Sequence, residues 1–393
     1  MAVASTNSFA KQILHEFVPV TMRVLNSYVI KLNGEREMET QIVTIERADT
    51  PACIDEKLER AGACIRQGGL VAFPTETVYG LGGDALNSES SRKIYAAKGR
   101  PSDNPLIVHI ADLDHLDSIV SEIPEHARKL ADAFWPGPLT MIFRKSELVP
   151  RQTTGGLDTV AVRMPSHPLA NRFIEKAGGY VAAPSANLSG KPSPTTAKYV
   201  IQDMMGRIDM IIDADGVEIG LESTIVDVTG DVPMILRPGY ITQEMLSKVV
   251  GETDMDVTIF DSSSTQAPKA PGMKYRHYAP KGELVIVEGE PADVVRYINE
   301  QTSLHAQKGE KTGVIGTQEL IEKYHADSIK NAGNKDDSAS VARQLYTFLR
   351  EFDDEGIEYM YTQSFADAFA DKGIGQAIMN RLLKAAGHRV IKV

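Results

Sequence analysis

The chain has 393 residues, 42% of them hydrophobic and 24% charged, with a formal net charge of −11. That length suits two domains better than one core, and the composition is that of an ordinary globular protein. An acidic chain lacks the basic footprint of a protein that grips nucleic acid through phosphates. No apolar run approaches the roughly 18 residues needed to cross a membrane. Cys53 and Cys64 are the only cysteines and form no CxxC, so neither a cysteine zinc site nor a disulfide framework is supported. A reducing, cytoplasmic setting is expected.

Residues 1–37 carry Lys11, Arg23, Lys31 and Arg36, with few acids before Glu35. A transit peptide has such a charge, but a regular pattern begins only at Gln41-Ile-Val-Thr-Ile45. We therefore expect a dispensable extension, with Met38 as an alternative start. Thr50-Pro51 opens a helix to about Gln67, with Ile54, Leu58, Ala61 and Ile65 at helical spacing and Gly68-Gly69 as its stop. Leu70-Val-Ala-Phe73 reads as a buried strand. It runs into Pro74-Thr-Glu-Thr-Val-Tyr-Gly-Leu-Gly82, where extended backbone puts Thr75, Thr77 and Tyr79 on one face and Glu76 and Val78 on the other. Gly80 and Gly82 let the chain turn and let a ligand come close.

Asn87-Ser88 caps a helix ending near Lys98, stopped by Gly99 and Pro101. A strand follows over 105–110, then helical patterns over 114–120 and 125–134. Trp135-Pro-Gly-Pro138 is a rigid turn. Strands over 139–143 and 159–164 precede a helix over 167–177 and a strand over 180–183. Further strands at 210–213, 223–228 and 234–237 complete a mixed α/β domain over 41–251. Residues 261–272 have the composition of a tether. They lead into Met273-Lys-Tyr-Arg-His-Tyr-Ala-Pro280, which is too aromatic and basic for a plain spacer; residues 252–281 read as a linker and lid. The rest, 282–393, reads as a small Rossmann-like unit, with strands at 284–287, 312–315, 357–361 and 390–393 and helices at 292–299, 338–352 and 376–386. Gly373-Ile-Gly375 is no dinucleotide fingerprint, because Ile378 stands where a third glycine belongs.

Polar residues of the first domain gather where apolar runs end. Lys98 and Arg100 flank a helix stop. Asn104 and His109 bracket one strand, with His109 turned away from Leu106, Val108 and Ile110; Thr159 and Arg163 bracket another. Ser185 and Asn187 follow Ala183-Pro184, and Ser189, Ser193 and Thr195 continue that loop. Glu222-Ser-Thr224 opens a strand and Arg237 closes one. Singly these are ordinary surface or capping residues. Repeated around an open α/β sheet, they mark a ligand crevice outside the strand ends. Lys98, Arg100 and Arg237 could neutralise a polyphosphate, and Arg163 could clamp a carboxylate. Ser185, Asn187, Ser193 and backbone N–H groups could hold further phosphate or nucleoside oxygens. There is no Walker A sequence and no GxSxG elbow, and neither cysteine lies in the constellation. Non-covalent group transfer by positioning and charge neutralisation remains.

Lys98-Gly-Arg100, together with Ser185-Ala-Asn187, resembles the KxR…SxN signature of the YrdC/Sua5 family of threonylcarbamoyl-AMP synthases. The blocks at 73–82, 135–140, 160–165, 183–187 and 236–239 are similar to that family's in order, and Ala270-Pro-Gly-Met-Lys-Tyr-Arg-His-Tyr-Ala-Pro280 resembles the linker of its long members. The resemblance runs from about residue 41 to the end. It implies a YrdC-like mixed, twisted open sheet with helices, followed by a smaller Rossmann-like Sua5 domain. It also implies an enzyme that makes threonylcarbamoyl-adenylate and pyrophosphate from L-threonine, bicarbonate and ATP for t6A modification of tRNA, without stable tRNA binding of its own, the adenylate passing to downstream transferase proteins. Mg²⁺ would be held mainly by the ATP phosphates, with no protein metal site.

By position in the matching blocks, Thr77, His109, Arg163, Ala183 and Ser223 would contact threonine. Arg100, Asn104, Thr159, Ser185, Ser193, Arg237 and Tyr275 would contact ATP. Lys98, Arg100, Ser185 and Asn187 form the catalytic signature. Two rival readings are a double-stranded RNA-binding module, which the net charge disfavours, and a carbamoyltransferase of the hydrogenase-maturation type, whose zinc fingers two cysteines cannot build.

Overall fold

The computed structural model describes residues 27–28, 38–256, 259, 277–335, 337–365 and 373–393. The expected extension other than Ser27 and Tyr28, and the greater part of the linker with Tyr275, lie outside the described residues. In the first half, β1 (Ser27–Tyr28), β2 (Thr40–Thr44), α1 (Pro51–Arg66), β3 (Val71–Phe73), β4 (Gly80–Asp84), α2 (Ser88–Lys98) and β5 (Ile107–Ile110) come first. Then follow α3 (Leu116–Ile119), α4 (Glu125–Phe134), β6 (Leu139–Arg144), β7 (Thr159–Arg163), α5 (Pro168–Lys176), β8 (Tyr180–Ala183) and α6 (Ala197–Met204). Next are β9 (Met210–Asp213), β10 (Thr224–Asp227), β11 (Met234–Arg237), α7 (Gln243–Val250) and β12 (Asp254–Met255).

These strands make a mixed, twelve-stranded sheet in the order β1-β2-β9-β3-β4-β8-β5-β7-β6-β10-β11-β12. Alternation along each strand separates its faces. On one face Ala72, Val108, Ile110, Val160, Val162 and Ala182 pack with Ile94 of α2, Leu130 of α4 and Val200 and Met204 of α6. On the other, Val71, Phe73, Val181 and Ala183 pack with Leu58 and Ile65 of α1 and Phe173 and Ile174 of α5. Beside that cluster, Ile107, Ile142, Ala161, Ile225 and Leu236 form a smaller apolar patch. The helices start where the sequence places their caps: Thr50 accepts from the Cys53 N–H with Pro51 behind it, and Asn87 accepts from the Glu89 N–H.

Several expectations need correction. Residues 114–120 form a 3-10 turn, Leu113–His115, and the single turn of α3. α6 and α7 fall in stretches for which the sequence suggests no element; they are helical because Val200, Met204 and Leu246 join the main core. β4 and the second-domain strand Ser328–Asn331 were also not anticipated. Most importantly, Thr75 to Tyr79 is not extended. Thr75 Oγ1 accepts from the N–H groups of Thr77 and Val78 and donates to the Val78 carbonyl at 2.7 Å, so the threonine closes a turn upon itself. That turn delivers the chain to β4, antiparallel to β3.

The second half contains β13 (Glu283–Glu288), α8 (Pro291–Gln307), β14 (Thr312–Gly316), β15 (Ser328–Asn331), α9 (Ser338–Glu355), β16 (Tyr359–Gln363), α10 (Ile374–Ala385) and β17 (Val390–Lys392). Its five strands are all parallel, in the order β15-β14-β16-β13-β17. α8 covers one face through Val294 and Ile298. α9 and α10 cover the other through Leu345, Leu349, Ile378 and Leu382. This is the doubly wound unit expected from the interleaved pattern.

α9 and α10 also face the first domain. Val78 and Leu221 of the first domain join the apolar cluster of α9 and α10. Arg350 of α9 pairs with the wholly buried Asp203 side chain at 2.7 Å and donates to the Pro192 carbonyl at 2.6 Å. Arg381 of α10 pairs with Glu222 at 3.0 Å. Gly220 makes the approach possible: its φ is +82°, and a Cβ there would stand 2.5 Å from the Arg343 Cα. Gly220→Ala therefore combines left-handed strain with backbone overlap. We expect a loss of at least about 1–2 kcal/mol and a lower first transition in calorimetry. An unchanged transition would show that the domains part at no cost.

Candidate active site

A cleft of about 700 Å³, including its open mouth, lies between the Thr75 turn, the Lys98–Arg100 corner, the loop after β8, the start of β10 and the segment His277–Tyr278. The sheet contributes Ile107, His109 and Arg163 to its lining, and strand ends contribute Ala183, Ser223 and Arg237. Strand register builds one row of it. His109 on β5 is opposite Arg163 on β7, and Arg163 is opposite Thr140 on β6. Thr140 Oγ1 is 2.8 Å from Ser223 Oγ, just before β10. Ala183, at the end of β8, is opposite Ile107. Thr77, His109, Arg163, Ala183 and Ser223 thus converge on one end of the cleft.

Arg163 is the charged centre of that end, and it is buried. Its Nη1 donates to Thr77 Oγ1 at 2.9 Å and its Nε to the Gly137 carbonyl at 3.4 Å. Nη2 lies 2.8 Å from Glu76 Oε1 but in poor line for a hydrogen bond, which leaves a buried donor unsatisfied. Glu76 Oε1 also accepts from the Ser166 N–H at 3.1 Å. Burial pushes the Glu76 carboxyl up, but Arg163 pulls it further down, so it stays ionised. His109 Nδ1 lies 3.2 Å from the Ile107 carbonyl. Burial, then the charge of Arg163, lowers its pKa to about 3. The ring is neutral with Nδ1 donating, so Nε2 is an acceptor.

The other end carries Lys98, Arg100, Ser185, Asn187 and Arg237. Gly99, at φ +62°, reverses the chain after α2 and separates the two cations. Lys98 Nζ reaches the carbonyls of Ser185 and Asn187. Burial, then the charge of Arg100, holds its pKa well below the usual lysine range. Arg100 donates to the carbonyls of Asn104 and Pro105 at 3.3 and 3.1 Å; burial lowers its pKa to about 10. Ser185 Oγ donates to Asn187 Oδ1 at 2.5 Å, and Asn187 Nδ2 donates to the carbonyls of Leu188 and Lys191. Arg237 donates through Nε to the Ser223 carbonyl and through Nη2 to Ser223 Oγ.

Three expected nucleotide contacts do not line the cleft. Asn104 is buried beneath Arg100 with Oδ1 unpartnered. Ser193 donates to Glu222 Oε1 at 2.6 Å. Thr159 begins β7, two residues before Ala161, which is opposite Ile107; it therefore lies level with Pro105, behind Arg100. Glu222, Thr75, His277 and Tyr278 line the cleft as well. Glu222 was legible only as the first residue of Glu-Ser-Thr, since its partners Tyr346 and Arg381 lie more than a hundred residues away. His277 has a buried, unpartnered Nε2, and burial with Arg100 nearby lowers its pKa to about 3. Tyr278 stacks on Tyr346 of α9 at 5.2 Å. The described end of the linker therefore both borders the cleft and anchors the second domain. Among the described residues no group of His, Cys, Asp and Glu could hold a metal ion, and no helix is long and apolar enough to cross a membrane.

Residues 63–239 match the family model for Sua5, YciO and YrdC, described as telomere recombination, and residues 241–387 match the model for the threonylcarbamoyl-AMP synthase C-terminal domain. The chain is 49% identical over 337 residues to the threonylcarbamoyl-AMP synthase of Pyrococcus abyssi, covering 86% of this chain and 96% of that one. It is 46% identical to the Bacillus subtilis synthase, covering 90% of this chain and all of that one. A shorter relative, the synthase of Halorhodospira halophila, is 36% identical over 156 residues, or 40% of this chain and 82% of its own. The crystal structure of P. abyssi Sua5 complexed with L-threonine superposes with a TM-score of 0.83 at 47% identity, covering 90% of this chain and 99% of that one.

The neutral His109 has a measurable signature. Unfolded, its imidazole takes a proton near pH 6.5; folded, it stays neutral down to about 3. The unfolded state thus binds more protons between these values, so stability falls as pH drops through that window and is unaffected above it. His109→Gln should flatten the dependence between about pH 6 and 4 by up to about 1.4 kcal/mol per pH unit. Urea unfolding at a series of pH values reads this; equal slopes would mean that His109 charges in the folded state.

Proposed function

This chain belongs to the threonylcarbamoyl-AMP synthase family, and from that premise we propose how its cleft makes threonylcarbamoyl-adenylate from L-threonine, bicarbonate and ATP. The observation that carries the reading is the division of the cleft into two ends. One is a carboxylate clamp around Arg163 with hydroxyls beside it; the other is a set of cations turned toward an anion.

The complex of P. abyssi Sua5 with L-threonine supports threonine as a ligand, and the first end is the one suited to it. The unsatisfied Nη2 of Arg163 meets the amino-acid carboxylate. Nε2 of neutral His109 accepts from the ammonium or hydroxyl group, and Thr77, Ser223 and the Ala183 backbone close around the side chain. ATP lies at the second end. Arg100 and Arg237 face its phosphates, Ser185 adds a hydroxyl, and Asn104, Thr159 and Ser193 stand behind them. Lys98 and Asn187 shape the loop that presents Ser185. Tyr275 would reach the nucleotide from the linker.

The threonine nitrogen bonds to the carbon of bicarbonate with loss of water, giving a carbamate. A carbamate oxygen then bonds to the α-phosphorus of ATP, and the bond to the β-phosphate oxygen breaks, releasing pyrophosphate. Holding two anions in line is the protein's main task, and fixed cations stabilise the leaving pyrophosphate without reorganising. Mg²⁺ would supply further charge neutralisation there. Glu76 and Glu222, two carboxylates at the cleft, are paired with arginines, so Mg²⁺ would ride on the nucleotide's own phosphates. The adenylate would pass to the proteins that complete t6A on tRNA. The net charge of −11 favours this over double-stranded RNA binding.

Pyrophosphate release should require threonine, bicarbonate and ATP together, tested by supplying each amino acid in turn with and without bicarbonate. Full-rate release without threonine would refute the scheme. Arg163→Ala should weaken threonine about ten- to a hundredfold and ATP far less. An unchanged threonine Kd by calorimetry would remove Arg163 from that role.

A further inference from the structure

We propose that Arg381 and Tyr346, both in the second domain, are positioning residues for the nucleotide end of the cleft, acting through Glu222. The inference rests on the assignment of ATP to that end. Glu222 lines the cleft and is 7% exposed. Its carboxylate accepts from Arg381 Nε at 3.0 Å, from the Tyr346 hydroxyl at 2.9 Å and from Ser193 Oγ at 2.6 Å. Arg381 is fully buried, and its Nη1 donates at 2.7 Å to the carbonyl of Pro238, the residue after Arg237. The Arg381 guanidinium lies 5.8 Å from the ring of Tyr278, which stacks on Tyr346. Glu222 and Tyr278 line the cleft and Pro238 adjoins its Arg237, so one buried cluster from α9 and α10 backs the nucleotide end.

The threonine end is held differently. Arg163 bonds to Gly137 and Thr77 and pairs with Glu76; His109 bonds to Ile107; Ser223 bonds to Thr140 and Arg237. These partners all belong to the first domain.

Removing the Arg381 charge strands a buried carboxylate. The next cation acting on Glu222 is Arg237. The carboxylate would then draw Arg237 from its Ser223 contacts and release Ser193. The electrostatic consequence falls on ATP, while the Arg163 clamp keeps its own partners.

The test uses the full chain with Arg381→Met, Arg381→Lys, Tyr346→Phe and the double variant Arg381→Met/Glu222→Gln. Calorimetry with L-threonine and with a non-hydrolysable ATP analogue is paired with the ATP KM for pyrophosphate release. Arg381→Met should weaken the analogue and raise the ATP KM about ten- to a hundredfold, with the threonine Kd shifted far less. Arg381→Lys should recover part of the loss. The double variant should recover more than Arg381→Met alone, because the stranded charge is gone. Tyr346→Phe keeps the ring and removes only the hydroxyl; it should shift ATP in the same direction by less, and it decides the matter if Arg381→Met does not fold. Unchanged ATP binding in Tyr346→Phe and Arg381→Met, or equal losses for threonine and ATP, would overturn the proposal. Wild-type protein that binds threonine but no ATP analogue would instead overturn the site assignment beneath it.

Discussion

The cleft depends on cations anchored by backbone carbonyls. Lys98 is held by the carbonyls of Ser185 and Asn187, Arg100 by those of Asn104 and Pro105, and Arg237 by that of Ser223. A carboxylate would orient these groups equally well but would cancel their charge. A carbonyl dipole fixes direction, partly offsets desolvation and leaves most of the field for a ligand. The cost is visible in the pKa values of Lys98, Arg100 and Arg237, which burial lowers in each case. Buried cations held by carbonyl dipoles are a poor way to stabilise a fold and a good way to bind a polyphosphate.

The sheet explains why these anchors fall in one place. β5 runs parallel to β7 and antiparallel to β8, while β6 runs antiparallel to β7 and parallel to β10. Mixed directions bring the last residue of one strand beside the first of the next. Arg163 ends β7 where β6 has barely begun at Thr140, and Ser223 stands just before β10. A purely parallel sheet would gather its ligand groups beyond one edge. Here they gather at strand ends of both directions, with His109 adding part of the sheet face.

What was legible followed local rules. Thr50 and Asn87 as caps, Gly99 as a left-handed stop and the alternation that turns His109 from Leu106, Val108 and Ile110 need only neighbouring residues. Ten residues assigned to the site from their blocks line one cleft. The failures are those of range. Thr75 looked like one of three hydroxyls on a strand face, but its side chain closes a turn through Val78. α6 carries few sequence signals of its own and is helical because the sheet face needs Val200 and Met204. Glu222 gave no sign of its charged partner because Arg381 lies in another domain. Periodicity reports which face is buried, not what buries it.

The same limit bears on why the second domain is present. The H. halophila synthase matches 40% of this chain over 82% of its own length, which leaves it little room for such a domain. In this chain Asp203 and Glu222 are buried acids whose arginine partners sit across the domain boundary, at Arg350 and Arg381. Buried pairs of this kind add little net stability, since desolvation consumes most of the attraction. Taking the domain away would remove both arginines together with the burial they share and uncover Val78 and Leu221, while Asp203 would keep Lys191 as a partner. A single substitution is different: it removes the cation and keeps the acid dry. The boundary is thus more sensitive to a lost arginine than its modest net stability implies. Its contribution is geometric, fixing a carboxylate beside the cations of the cleft rather than holding the two halves together.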